Sequence, residues 1–276
     1  MHAVETFGLQ RRFGSLDAVH GLDLQVRQGS VFALIGPNGA GKTTTLKMLM
    51  NLLRPSAGRA SVLGRDSRQL GPAEFQRIGY VSENQDLPYW MTPVQLFDYC
   101  RPLYPRWDTD LERALHRDLD LNARQPLRTL SRGTRMKAAL LSSLAYRPEL
   151  VVLDEPFSGL DPLVRDELTR ALLETAGEGA WSVLLSSHDI EEVERLADWI
   201  GYIDRGRLVF SEPVQSCSTA FAGSRSSVPA STRRTSRTAS LPWASSGPAA
   251  RSGSSTLVIR PRTSNAGSPA PCPAQP

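Results

Sequence analysis

A glycine-rich segment near the N-terminus has the residue types and spacing of a phosphate-binding loop. An apolar run over 31–35 predicts a buried parallel strand before it, and the pattern over 42–53 predicts a helix after it. Glycines let successive backbone N–H groups point at one anion, and the helix N-terminus adds its positive dipole end. Lys42 is placed to reach the β- and γ-phosphates of a nucleotide, and Thr43 to offer its hydroxyl to Mg²⁺. The predicted nucleotide-binding residues are Gly36, Pro37, Asn38, Gly39, Ala40, Gly41, Lys42, Thr43 and Thr44.

Two adjacent carboxylates follow a second apolar run. Residues 150–153 predict another buried strand, and Asp154 and Glu155 come directly after it. In proteins with a phosphate-binding loop, an aspartate at this place holds Mg²⁺. A second carboxylate is suited to orient or deprotonate the water that attacks the γ-phosphate. An exposed acidic strand end is the alternative for such a pair, but the phosphate-binding loop favours Asp154 as a metal ligand and Glu155 as a catalytic residue.

Alternating strand and helix patterns over 1–212 predict an α/β domain that positions these residues. Strands at 4–10 and 21–27 open the chain, and the second has the alternation of a half-buried antiparallel strand. Further strands are predicted at 60–63, 78–82, 181–185, 200–203 and 208–210, and further helices at 72–77, 163–175 and 190–197. The alternation favours a P-loop NTPase fold with a mostly parallel sheet and antiparallel N-terminal strands.

Residues 86–145 have helical patterns and no strand pattern. Helix starts are predicted at Pro93, which suits a first turn, and at Asp108 and Ser131, whose side chains can cap free N–H groups. We therefore predict a helical subdomain inserted in the sheet over about residues 86–145.

The last 64 residues, 213–276, have a different composition. They contain 15 serines, nine prolines and seven arginines but no acidic residue, and no periodic apolar pattern. Such a segment cannot bury enough surface to offset chain entropy, so we predict disorder. Two explanations stay open: a flexible basic tail, or a reading-frame change near Gln215 that replaced a structured C-terminus.

Composition also excludes several classes of protein. Residues 1–212 carry 25 basic and 28 acidic residues, so the overall net charge of +4 arises in the tail and is no argument for a nucleic-acid partner. No run of 18 apolar residues predicts a membrane span, and the N-terminus lacks the pattern of a signal peptide. Cys100, Cys217 and Cys272 are too scattered for a disulfide framework or a metal site, which fits a reduced cytosolic setting.

Five motifs over about residues 4–212 resemble those of the ATPase subunit of an ATP-binding cassette (ABC) transporter, and they follow one another in the order typical of that family. The loop 36–44 matches Walker A, and 150–156 matches Walker B with its catalytic glutamate. Residues 130–134 stand at the place of the LSGGQ signature, 158–161 match the D-loop, and 186–189 match the switch histidine. The layout is most similar to bacterial exporters of drugs or peptides.

The resemblance implies that ATP binds between two such domains arranged head to tail. Ser131 and Gly133 of one domain would then contact the γ-phosphate held by the other, and Asp161 lies in the D-loop. A helix N-terminus at Ser131 is a suitable anion site, although an ordinary N-cap serine is the alternative interpretation.

The same resemblance implies roles for two residues with ring side chains, His188 and Phe13. His188 would contact the γ-phosphate and sense its presence. Phe13 stands where the family places an aromatic ring that stacks on adenine. Core packing next to Leu9 is the alternative for Phe13.

This chain departs from the family pattern at two motifs. Glu83 stands where the Q-loop has glutamine, and it can still ligate Mg²⁺ while adding negative charge beside ATP; Gln85 is an alternative. In the signature, Arg132 replaces the first glycine and Thr134 the terminal glutamine. These departures bear on ATP-driven dimerisation more than on ATP binding.

The implied function is ATP hydrolysis, with ATP and Mg²⁺, that powers transport by a separate integral membrane permease. The chain would act with a second ABC ATPase domain, as homo- or heterodimer, and lie peripherally at the cytoplasmic face of the cell membrane. Residues 87–91 and nearby aromatics would help form the groove for the permease, or else the core of the helical subdomain. Two other functions stay open: a soluble ABC-type ATPase without transport, and a nucleotide-binding regulatory module without turnover.

Overall fold

The computed structural model describes residues 1–122, 124–177 and 181–214. The predictions for the tail fall outside these residues, except at 213 and 214. The strands are β1 (His2–Phe13), β2 (Leu16–Leu22), β3 (Gln25–Arg27), β4 (Val31–Ile35), β5 (Ala57–Val62), β6 (Arg65–Asp66), β7 (Ile78–Val81), β8 (Leu150–Asp154), β9 (Ser182–Ser187), β10 (Trp199–Asp204) and β11 (Arg207–Pro213). The α-helices are α1 (Lys42–Leu49), α2 (Pro72–Phe75), α3 (Pro93–Cys100), α4 (Thr109–Asp118), α5 (Arg132–Leu144) and α6 (Pro162–Gly177).

Six strands form the central sheet in the order β11-β10-β4-β9-β8-β7. Every neighbouring pair is parallel except β10–β11, as the predicted fold class requires. Ile35 pairs with Ser187, and Asp154 with Ser186. Because the carboxyl ends of parallel strands meet at one edge, the phosphate-binding loop, the two carboxylates and His188 emerge together.

The middle strands are apolar throughout because both faces of the sheet are covered. In β4, Val31, Ala33 and Ile35 pack into a core shared with the helical region, while Phe32 and Leu34 pack into a second core shared with α1 and the N-terminal strands. Strands buried on both faces read as continuous apolar runs, which is why the sequence revealed them.

The N-terminal strands form a second, antiparallel sheet in the order β2-β1-β5-β6, with β3 also paired to β1. The prediction that 11–20 merely connects two strands was wrong, because β1 and β2 form a hairpin through this segment. Arg12 and Asp17 pair across it at 2.5 Å. Charged side chains on an exposed ribbon conceal the apolar alternation that marks strands elsewhere.

The helical region contains α3, α4 and α5, and the described part of 86–145 includes no strand. Asp108 and Ser131 cap α4 and α5 as predicted, while Thr92 caps α3 just before Pro93. The aromatic residues of this region differ in burial: Phe97 is buried in the core, whereas Trp90 is 75% exposed.

Among the predicted helices, the largest differences from the structure are at 42–53 and 190–197. The helix predicted over 42–53 ends at Leu49, and Leu52 is exposed. The helix predicted over 190–197 is wrong: residues 191–196 form successive turns, with N–H donors reaching both three and four residues back. Val193 and Leu196 are nonetheless buried, so the apolar pattern predicted burial and not an unbroken helix. Among the described residues, no helix combines the length and apolar character needed to cross a bilayer.

Candidate nucleotide-binding site

The phosphate-binding loop is packed so closely that glycine is required at two positions. A Cβ at Gly36 would lie 2.1 Å from Ile203 O, and one at Gly41 would lie 2.5 Å from Ala18 O. Gly41 also has φ of 108°, a conformation that side chains other than hydrogen strongly disfavour. The loop is therefore held by β10 and β2, and its shape depends on both sheets.

Lys42 is buried and has partners for its ammonium group. Its Nζ donates to Gly36 O at 2.6 Å and to Pro37 O at 3.2 Å, and lies 3.0 Å from Glu155 Oε1. A buried ammonium is stable only when paired and hydrogen-bonded. The loop thus positions a positive charge at the end of β4 and directs it toward the end of β8.

Asp154 lies at the end of β8 and accepts two hydrogen bonds on one oxygen. Thr43 Oγ1 donates to Asp154 Oδ1 at 2.9 Å, and Ser186 Oγ donates to the same atom at 2.8 Å. Burial raises the pKa of Asp154, and the charges of Glu155 and Glu83 raise it further, while the two hydroxyls oppose the shift. Hydroxyl and carboxylate oxygens are the ligands that Mg²⁺ prefers, and a cation would stabilise this disfavoured charge.

Glu155 is held between a lysine and a histidine. Its Oε1 lies beside Lys42, and its Oε2 is 2.8 Å from His188 Nδ1. Because a carboxylate only accepts, Nδ1 carries the proton. The hydrogen bond to Glu155 is the main reason that the pKa of His188 is raised from its ordinary 6.5. The backbone of Glu155 has φ of 49°, uncommon outside glycine and typical of residues fixed at functional sites.

Comparisons with known proteins agree with this geometry. The family model described as ABC transporter matches residues 19–158. This chain belongs to the ABC transporter family. It is 37% identical over 215 residues to the daunorubicin resistance ATP-binding protein DrrA3 of Streptomyces coeruleorubidus, covering 75% of this chain and 67% of that protein. It is 36% identical over 210 residues to the Nod factor export ATP-binding protein I of Ralstonia nicotianae, covering 73% and 64%.

A solved structure of an ATP-binding subunit of an ABC transporter shares the fold. Its TM-score is 0.71 at 26% identity, over 80% of this chain and 93% of that one. The chain spans 56–67% of the length of the first curated relatives it matches. The ABC fold that the sequence predicted is thereby confirmed.

The residues of the ABC signature contact their own helix, α6 and the Q-loop residue Glu83. Ser131 Oγ accepts from Thr134 N–H at 3.1 Å and caps α5, while Gly133 is buried against Val164. Arg132 pairs with Glu83, with 3.4 Å between Arg132 Nη2 and Glu83 Oε1. The Arg132 side chain also passes close to Gly159, where a Cβ would lie 3.2 Å from Arg132 Nη1. The two departures from the ABC pattern therefore pair with each other.

The remaining predicted residues occupy distinct places. Phe13 is 44% exposed, with the Arg11 guanidinium 4.5 Å from its ring centroid, so it is not a core residue. Asp161 Oδ1 accepts from Val164 N–H at the start of α6. Gln85 Oε1 accepts from Ser82 N–H and is engaged within its own turn.

Sequence reasoning missed Ser186, which links both carboxylates. Its hydroxyl donates to Asp154 and accepts the backbone N–H of Glu155 at 2.9 Å. A hydroxyl at a wholly buried position near the end of a strand was the available signal, since buried hydroxyls require partners. Glu192 was also missed; the ligand-type atoms of Glu155, His188 and Glu192 lie within 4.8 Å of one another. Lys42 already neutralises Glu155, so this group has no need of a cation.

Proposed function

We propose that this chain binds ATP and hydrolyses it to ADP and phosphate. The observation that carries the proposal is the position of Glu155, 3.0 Å from Lys42 and 2.8 Å from His188. A carboxylate held between the lysine of a phosphate-binding loop and a histidine is placed to orient a water at the γ-phosphate. Membership of the ABC family supports this reaction.

Lys42 performs the first step by exchanging partners. Its N–H groups now donate to Gly36 O and Pro37 O, and its charge faces Glu155. Phosphate oxygens that enter the loop accept from Lys42 in place of these groups, which leaves Glu155 free for the attacking water. Lys42 then stabilises the negative charge that develops on the γ-phosphate.

Thr43 and Asp154 would hold Mg²⁺, which would neutralise negative charge on the nucleotide phosphates. Ser186 keeps Asp154 oriented and fixes the backbone of Glu155, so one hydroxyl aligns both carboxylates. Glu83 is proposed as a further ligand from the Q-loop. Phe13 is proposed to stack on adenine, which its exposed ring supports.

A second ABC ATPase domain, a copy of this chain or a homologue, is proposed to complete the site. Ser131 is exposed at the N-terminus of α5, where a helix offers free N–H groups and positive dipole charge to an anion. Ser131 and Gly133 of one domain would bind the γ-phosphate held by Lys42 of the other, with Asp161 at the interface. ATP would bring the domains together, and hydrolysis would let them separate.

We further propose that the chain docks on a separate integral membrane permease at the cytoplasmic face of the cell membrane. Tyr89 is 44% exposed and Trp90 is 75% exposed, and both follow the loop that carries Glu83. Contiguous exposed aromatics mark protein interaction sites. The names of the relatives, daunorubicin resistance and Nod factor export, support an exporter.

Co-purification tests this function. The tagged chain is expressed in its native host, membranes are solubilised in mild detergent, and co-purifying proteins are identified. We expect a polytopic membrane protein at comparable stoichiometry, and the Trp90→Ala variant to lose it while a variant of an exposed residue elsewhere, Leu173→Ala, retains it. Recovery from the soluble fraction without such a protein would contradict coupling to transport.

A further inference from the structure

Glu192 is a buried carboxylate in the turns that follow His188. The residue is only 7% exposed. Its Oε2 accepts from Ser187 Oγ at 2.6 Å, and its Oε1 lies 3.3 Å from Arg165 Nη2. Burial of a carboxylate is unfavourable unless the charge is paired and hydrogen-bonded, and both conditions are met here.

Ser187, the residue that Glu192 contacts, directly precedes His188 in the chain. It is wholly buried at the end of β9, and its carbonyl oxygen accepts from Gly36 N–H at 3.2 Å. Its hydroxyl also accepts from Asp189 N–H at 3.1 Å. Ser187 is therefore fixed to the phosphate-binding loop through its backbone and to Glu192 through its side chain. The direction of the next residue, His188, depends on both attachments.

Arg165, the other partner of Glu192, lies in the first turn of α6. Its backbone N–H donates at 3.1 Å to the carbonyl oxygen of Asp161, which lies in the D-loop. The ion pair thus joins the start of α6 to the turns after His188.

We propose that Glu192 is a positioning residue for His188. It holds Ser187 so that the imidazole faces Glu155, while Arg165 neutralises its charge and connects it to the D-loop. The inference rests on the proposed function, because it assigns Glu192 to the hydrolysis step. The described side-chain partners of Glu192 are Ser187 and Arg165 and not residues of the loop 36–44, so we expect its loss to affect hydrolysis more than nucleotide binding.

Steady-state hydrolysis by purified variants is the first test. We expect Glu192→Ala to lower kcat about tenfold, with KM for ATP changed less than about twofold, because a misdirected His188 impairs catalysis and not binding. Glu192→Gln keeps an acceptor for Ser187 and is expected to recover part of kcat. The matched control is Glu194→Gln, at an exposed position of the same segment. Thermal melts confirm that each variant is folded at the assay temperature.

The imidazole of His188 provides a second readout that requires no turnover. The chain has four histidines, so its ring resonances can be assigned with a His188→Gln variant. Glu155 and Glu192 raise the pKa of His188, while Lys42 and burial lower it. We therefore expect the pKa of His188 to fall in Glu192→Gln and to stay unchanged in Glu194→Gln.

The two readouts separate this inference from the proposed function. An unchanged kcat and an unchanged His188 resonance in both Glu192 variants would overturn the positioning role. A loss of kcat and of ATP affinity together, without rescue by glutamine, would also overturn it in favour of a structural ion pair. An inactive wild-type protein whose His188 resonance still responds to Glu192 would contradict the proposed hydrolysis and leave the positioning role supported.

Discussion

The candidate site has two parts that differ in how far their side chains are exposed to solvent. The buried part comprises Lys42, Asp154 and Glu155, whose charged groups all have partners within the chain. The exposed part comprises Phe13, Glu83, Ser131 and Arg132, whose contacts are a cation–π contact, a helix cap and one partly exposed ion pair. Both departures from the ABC pattern, at Glu83 and in the signature, lie in the exposed part.

The free energy lost when an ion pair is broken differs between the two parts, and this difference explains where the departures occur. The Lys42–Glu155 pair has side chains only 5% and 7% exposed, and removing one partner of such a pair typically costs about 3–5 kcal/mol. The Arg132–Glu83 pair has side chains 43% and 37% exposed, and such pairs contribute about 0–1 kcal/mol. The exposed part can therefore change its charges with little effect on the fold, whereas the buried part cannot.

The largest expected effect comes from Glu155→Gln in the buried part. Glutamine keeps the size of the side chain but cannot act as a base, so hydrolysis should fall by about 10²–10⁴ while ATP still binds. Nucleotide binding is measured with a fluorescent ATP analogue, and turnover by phosphate release. Glu174→Gln, at an exposed position of α6, is the matched control. Persistent turnover in Glu155→Gln would contradict the assigned role.

A smaller effect is expected from pH, through His188. Its pKa is raised mainly by the hydrogen bond to Glu155. A raised pKa means that the fold favours the protonated ring, so this stabilisation is full below the ordinary 6.5 and is lost as the pH rises through the raised value. Because the ring is partly exposed, the change should stay below about 1 kcal/mol.

Denaturant melts of the wild type and His188→Gln at several pH values measure this contribution. We expect the wild type to be the more stable at pH 6 and the difference to diminish toward pH 9. A difference that grows with pH would show that the neutral ring is the one favoured by the fold.

The smallest effect is expected in the exposed part. A double-mutant cycle of Glu83→Gln and Arg132→Gln should give a coupling energy in unfolding below about 1 kcal/mol, and salt should reduce it further. A coupling above about 2 kcal/mol would place this pair with the buried part and remove the distinction between them.

Sequence patterns predicted the buried part better than its surroundings, for physical reasons. Continuous apolar runs identify strands covered on both faces, and the residues after them meet at one edge of the sheet. Local capping chemistry also predicted Asp108 and Ser131 correctly. The β1–β2 hairpin was missed because charged side chains on an exposed ribbon, such as Arg12 and Asp17, conceal the apolar alternation.

Long-range pairing was not predictable from one sequence. Glu83 and Arg132 are 49 positions apart, and Ser186 lies 32 positions after Asp154. Periodicity reports which face of an element is buried and does not report which polar groups meet across elements. The turns at 191–196 were mistaken for a helix because both structures bury Val193 and Leu196.

We propose that the buried part of one chain works with the exposed part of a second copy. Lys42→Ala disables the buried part, and Ser131→Asp retains an N-cap acceptor while placing negative charge against the phosphate. Each variant alone should be inactive. In an equal mixture that exchanges subunits, about half of the dimers contain one variant of each kind, and each of these has one intact site of two. The activity of the mixture should therefore reach about a quarter of the wild type. A mixture no more active than the two separate variants would contradict a site assembled from two copies.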